Sequence, residues 1–210
     1  MKRALFTRLA FWSPLALSLA LCAVPRADAA PRYKHVARPA QPAARSAAEV
    51  EATVRTLLSG YEPLDVEHGL AQLGPQAADV LLRLIKDRGT PVLLQLRAIE
   101  ALGYVPTPAG QTYLRDLVAQ IGTVEDERVF TLAAALRALS AFGVGELPSI
   151  ALFLNHRSAD VRDAAAAGMA QMRSADVLPA LQGRLAIERD SGVQSTINAA
   201  IRRVAALPRR

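Results

Sequence analysis

From residue 49 onward the apolar positions fall three and four residues apart. Val50, Val54, Leu57 and Leu58 open the series, and that spacing lays one apolar stripe along a helix of 3.6 residues per turn. A short motif, apolar at i and i+3 near the end of an Ala-rich helix, recurs as Leu70/Leu73, Ile99/Leu102, Leu136/Leu139, Met169/Met172 and Ile201/Val204, at steps of 29, 37, 33 and 32 residues. A step of that size fits a two-helix unit. Each of the first four motifs is followed by a turn signal: Gly74-Pro75, Val105 to Pro108, Gly143 to Pro148, and Ser174 to Asp176. A second apolar helix follows each turn, carrying Val80, Leu81, Leu84 and Ile85, then Tyr113, Leu114, Leu117 and Val118, then Ile150, Leu152 and Phe153, then Leu178, Leu181 and Leu185. Pro179 reads as an early helix residue, where a missing N–H removes no intrahelical bond. The string Ser-Ala-Asp-Val at 158 and again at 174 offers Ser or Asp as an N-cap both times. Alternating runs rich in Val, Ile and Thr are absent, so no strand is expected. The pattern predicts about ten helices.

Residues 158–172, SADVRDAAAAGMAQM, sharpen the picture. Alanine favours the helix, yet an alanine face buries little area and makes no core alone. Small residues such as Ala164, Ala165 and Gly168 let neighbouring backbones approach closely, while Met169, Met172, Leu178 and Leu181 fill the seam between layers. Such a unit is stable only when stacked on others. The stretch SADVRDAAAAGMAQMRSADVLPALQGRL resembles a HEAT repeat of the short type found in phycobilisome-lyase-like proteins. The resemblance rests on the polar start with Asp160, Val161-Arg162, the Ala-rich first helix, the tight turn, and a second helix opening with an apolar-Pro-x-Leu step. It is best over 158–185, fair over 91–154 and weak over 64–87; the long first helix around Val129 to Phe142 and the longer turn at 104–109 depart from it. The Trp/Gly/Tyr signature of tetratricopeptide repeats and the T-P-L-H of ankyrin repeats are missing. The resemblance implies an all-α fold, a right-handed α-solenoid (an α-α superhelix) of about four to five HEAT-like helix pairs over residues 49–207.

The N-terminal residues change the expected compartment. A basic start (Lys2, Arg3, Arg8), an apolar stretch from about Leu9 to Val24, and Ala27-Asp28-Ala29 follow the order of a secretory signal peptide cut after Ala29. The apolar run is broken by Ser13-Pro14 and falls short of the roughly 20 residues that span a bilayer, so a cleaved signal is expected rather than an anchor. Cys22 follows Leu19-Ala20-Leu21, and a bacterial lipobox wants a small residue where Leu21 stands, so no lipidation is expected. Cleavage removes the one cysteine and the one tryptophan, leaving a chain held by packing alone in a compartment that permits disulfides. Residues 30–48, with prolines at 31, 39 and 42 and no apolar period, read as a basic, Pro/Ala-rich disordered leader. Such a leader suits weak contact with an anionic membrane or cell-wall surface.

Charge distribution argues against nucleic acid. The chain carries 25 basic and 19 acidic residues, but residues 49–200 hold 13 basic against 18 acidic, a net −5. The excess of positive charge sits in the signal, the leader and the last ten residues, ending in the basic tail 208–210, so no nucleic-acid face is expected on the folded body.

Candidate chemistry is sparse. Asp65, Glu67 and His68 do not share one helix face, and neither His35 nor His156 completes a metal site with them. No G-x-S-x-G elbow, Walker loop or G-x-G-x-x-G is present. The run Glu125-Asp126-Glu127 precedes a helix, where negative charge favours the dipole. No cofactor and no catalysis are expected, chromophore-lyase activity having only the resemblance behind it. In HEAT-like stacks the second helices line the concave face, which implies Arg83, Asp87, Arg115, Asp116, Gln120, Asn155, His156 and Arg184 as partner-binding residues; the arginines suit bidentate contacts to carboxylate or phosphate. The expectation is a monomeric, periplasmic or secreted bacterial scaffold that binds a protein partner in the cell envelope. Two alternatives stay open: a small-ligand carrier or groove-sited enzyme, and a structural protein tethered to the envelope surface by its basic ends.

Overall fold

A computed structural model describes residues 45–60, 65–122 and 128–208. The expected export signal with Cys22, the leader as far as residue 44 with His35, the acidic run Glu125-Asp126-Glu127, and Arg209-Arg210 lie outside the described residues. Every regular element among the described residues is helical: α1 (Ala47–Ser59), α2 (Val66–Leu73), α3 (Pro75–Lys86), α4 (Val92–Ala101), α5 (Pro108–Ile121), α6 (Val129–Ser140), α7 (Leu147–Ala151), α8 (Ala159–Gln171), α9 (Leu178–Leu185) and α10 (Ser191–Ala205). Short 3-10 turns at Val144–Glu146, Leu152–Asn155 and Ala175–Val177 join or extend them. None of these helices is long and apolar enough to cross a membrane.

Local chemistry sets the helix ends. Ser46 accepts from the Glu49 N–H while the Glu49 carboxylate accepts from the Ser46 N–H at 2.7 Å, a capping box that opens α1. Asp65, Thr107 and Asp190 cap α2, α5 and α10 in the same sense. At the far end of α1, Gly60 adopts the left-handed φ of +71°, and Arg97 of α4 donates to the carbonyls of Leu58 and Ser59 at 2.8 and 2.6 Å. A Cβ on Gly60 would stand 2.5 Å from that guanidinium, so both the turn and the cap require glycine. Ser46→Ala removes one cap and costs about 1 kcal/mol, read as a lower urea midpoint at unchanged slope.

The motif helices pack on one another. α4 packs on α6, α6 on α8, and α8 on α10, while α3, α5 and α9 each lie against the motif helix that follows them in sequence, α4, α6 and α10. Nine of the ten motif residues, from Leu70 to Val204, are buried, and Ile201 is half-buried. The Ala-rich helices meet closely. Ala133, Ala134, Ala135 and Ala138 on α6 and Ala164, Ala165, Ala166 and Ala170 on α8 are all buried. A Cβ added at Gly168 would sit 3.0 Å from the Ser140 hydroxyl, and one at Gly103 would sit 3.1 Å from the Ala138 Cα. The absent side chains let the helices come this near, and the dispersion contacts that result replace the bulk an alanine face lacks.

Two local expectations need correction. Leu152, assigned by its spacing to the buried face of a second helix, is 73% exposed. The α-helix stops at Ala151 and continues as a 3-10 turn over Leu152–Asn155; the buried side is carried by Ile150 and Leu154, and Leu152 falls between them on the opposite side. Ser158 occupies the N-cap of α8, but its side chain makes no cap hydrogen bond. Its N–H instead donates to His156 Nδ1 at 3.1 Å. Ser174 does accept from the Asp176 N–H, at 3.2 Å.

Candidate functional site

The eight residues expected to face one groove divide among several tasks. Arg83, on α3, pairs with Glu51 of α1 at 3.3 Å on an exposed surface. Asp87 closes the turn after α3. Its carboxylate accepts from the Gly89 N–H at 2.9 Å and the Thr90 hydroxyl at 3.0 Å, and these two bonds hold the carboxyl below its ordinary range. Asp116 and Gln120 are exposed on α5. None of these four lines the cleft in which three of the others meet.

That cleft, about 440 Å³, lies between α5 and the α7–3-10 segment. Its walls are Val118, Ala119, Leu139, Leu152 and Phe153, with Arg115, Asn155 and His156 among its polar groups. Gly122 makes room at the end of α5: a Cβ there would lie 2.9 Å from the Phe153 ring. The Phe153 and His156 rings are 6.3 Å apart and tilted by 38°. Arg184 joins the edge of the group through Asn155, to which it donates at 3.3 Å. A mostly apolar lining with a few polar groups suits uptake of an apolar side chain whose flanking backbone is hydrogen-bonded at the edge.

Arg115 and Arg184 are committed to buried carboxylates, which reading the second helices as a charged groove did not anticipate. Arg115 Nε donates to both oxygens of Glu146 at 3.1 Å, and Gln111 donates to the same carboxylate at 2.6 Å. The Glu146 side chain is only 2% exposed, whereas that of Arg115 is 54% exposed. Burial alone would raise the Glu146 carboxyl, but the bonds from Arg115 and Gln111 outweigh it and the net shift is downward.

A second buried carboxylate, Glu188, ties three elements together. Arg162 donates to it at 2.7 and 3.0 Å, Arg184 at 3.0 Å, and the N–H groups of Arg189 and Asp190 at 2.9 Å each. Arg162 also holds the carbonyls of His156 and Arg157 at 2.9 and 2.8 Å, fixing the strand of chain that carries the cleft's polar edge.

Glu146, Glu188, Arg162 and Gln111 were missed on sequence, although a signal existed. Several ties span nearly one motif step: Arg83 to Glu51 is 32 residues, Arg115 to Glu146 is 31, and Arg137 to Glu100 is 37. Arg184 and Glu188 stand at i and i+4, Glu188 just past the end of α9. No protein-family model matches this chain, and no curated protein matches it.

Proposed function

We propose that the chain is an exported, non-catalytic scaffold of the bacterial envelope, an α-solenoid of HEAT-like helix pairs that binds a segment of a partner protein in the cleft between α5 and the α7 segment. The observation that carries this reading is Leu152, a large apolar side chain 73% exposed at the wall of a cleft whose other walls are apolar. An apolar anchor beside polar groups that are already oriented is the arrangement that concentrates binding energy at a protein interface. The row of motif helices, each packed on the next, supports the stacked-repeat architecture.

The test is retention of envelope proteins by the immobilised chain. Charge reversal at Arg115 or Arg184 is unsuitable, because each arginine neutralises a buried carboxylate and its loss disturbs the fold. Leu152→Asp leaves the core untouched. Removing a leucine anchor from an interface costs about 1.5–3 kcal/mol, a loss of roughly tenfold to a hundredfold in affinity. One envelope protein retained by the native chain and lost with Leu152→Asp supports the scaffold. Equal retention by both, or none by either, removes the cleft from its role.

A further inference from the structure

A separate groove of about 460 Å³ is lined from the motif helices, a size within the roughly 300–1,000 Å³ of small-ligand sites. Its floor is small and apolar, made of Gly103, Ala138 and Ala141. The floor is tight because Gly103 has no side chain: a Cβ there would lie 3.1 Å from the Ala138 Cα of α6. Glu100 of α4, Tyr104 in the turn after it, Arg137 of α6 and Gln171 at the end of α8 line the groove with that floor.

The polar groups are joined by short contacts. Arg137 Nε donates to Glu100 Oε1 at 2.9 Å, one bond between a guanidinium with five N–H groups and a carboxylate with about four acceptor positions. The two side chains are 34% and 41% exposed, so the rest of that capacity faces solvent. The pair therefore sets donors and acceptors side by side while its charges cancel. Ser140 ties in Gln171: its hydroxyl lies 2.6 Å from the Arg137 carbonyl and 3.4 Å from Gln171 Oε1. With the amide oxygen turned to Ser140, Gln171 keeps its NH2 as a donor. Tyr104, 40% exposed, adds an apolar ring and a hydroxyl. Burial, then the nearby charges of Glu100 and Glu67, raise that hydroxyl above its ordinary range and keep it protonated.

This arrangement narrows the occupant. An apolar ligand would strip water from the Glu100–Arg137 pair and return no hydrogen bond. A single ion would find the opposite charge already paired and a like charge beside it. A pyranose meets both conditions, because each hydroxyl donates and accepts at once and carries no charge. Neighbouring hydroxyls can engage a carboxylate oxygen and a guanidinium N–H of the same pair, while the C–H face of the ring rests on the small apolar floor.

We propose that this groove binds a neutral saccharide of one or two pyranose rings, its hydroxyls held by the Glu100–Arg137 pair and its C–H face laid on Gly103, Ala138 and Ala141. The site is independent of the cleft beside Leu152. Saturation-transfer NMR of the purified full-length chain with maltose, cellobiose, lactose and N,N′-diacetylchitobiose tests it, with acetate and ethylammonium as small ions of either sign. At least one disaccharide binds, and neither ion does. For the disaccharide that binds best, Glu100→Ala and Arg137→Ala each weaken binding about tenfold, the scale of a hydrogen bond to a charged group. Tyr104→Phe, which removes only the hydroxyl, weakens it about fivefold. An ion pair this exposed adds little to stability, so the Glu100 and Arg137 variants melt close to the native chain. Ala141 is exposed, and Ala141→Phe fills the floor without altering charge and abolishes binding, whereas Leu152→Asp leaves it unchanged. Binding by none of the four disaccharides, binding by either ion as strong as theirs, or indifference to Ala141→Phe overturns the proposal.

Discussion

Replacing Glu188 with alanine lowers the unfolding free energy by about 3–5 kcal/mol, the cost of breaking a buried pair on one side only. The Glu188 side chain is 1% exposed and those of Arg162 and Arg184 are 11% and 14% exposed, so both guanidinium groups stay largely shielded from water once the carboxylate is gone. The N–H groups of Arg189 and Asp190 lose their acceptor at the same time. Urea denaturation reads the loss as a lower midpoint, and melting falls by about 2–4 °C for each kcal/mol in a chain of this size. Glu146→Ala costs less, because Arg115, 54% exposed, turns its charge into solvent. Equal losses from the two substitutions would contradict this account.

The same carboxylate makes stability pH-dependent in a defined direction. The Arg162 bond, against the opposing effect of burial and with help from two backbone N–H groups and Arg184, holds Glu188 far below its usual value of 4.5. A carboxyl depressed on folding stabilises the native state in full above its unfolded pKa, and the contribution drains away as pH falls below that value toward the folded pKa. The stability gap between the native chain and Glu188→Gln is therefore widest above about pH 5 and closes on acidification toward pH 2.

Gly168→Leu is expected to cost about 1–3 kcal/mol through overpacking of the α6–α8 contact. Glycine inside a helix is normally a defect that alanine repairs by nearly 1 kcal/mol, yet at Gly168 a Cβ meets the Ser140 hydroxyl at 3.0 Å and its Cβ at 3.1 Å. Ser140 is itself fully buried and donates to the Arg137 carbonyl at 2.6 Å, so it has no direction in which to yield. Gly183, within α9, is the control, since a Cβ there meets nothing within 4 Å. Gly183→Ala raises the melting temperature while Gly168→Leu lowers it. If both substitutions stabilised, the close approach of α6 and α8 would not be a source of stability.

Helix content and the buried stripe were legible in the residues themselves, because 3.6-residue periodicity is a local property that each segment carries in full. Leu136/Leu139 and Met169/Met172 are buried as their spacing requires, and Gly168 lies against α6 as its small size suggested. Leu152 was misread because the passage from α-helix to 3-10 turn after Ala151 rotates a side chain off the stripe without altering the apolar spacing. The roles of Arg115 and Arg184 were not legible either. An arginine on an amphipathic helix has the same local pattern whether it meets solvent, a partner, or a carboxylate 31 residues away. Residue types and their periods thus determined that this chain forms helices and which faces they bury. Tertiary packing alone decided which charges are spent inside the fold and which stand at its surface, because the dielectric and the partners around a charge are set by segments remote in sequence.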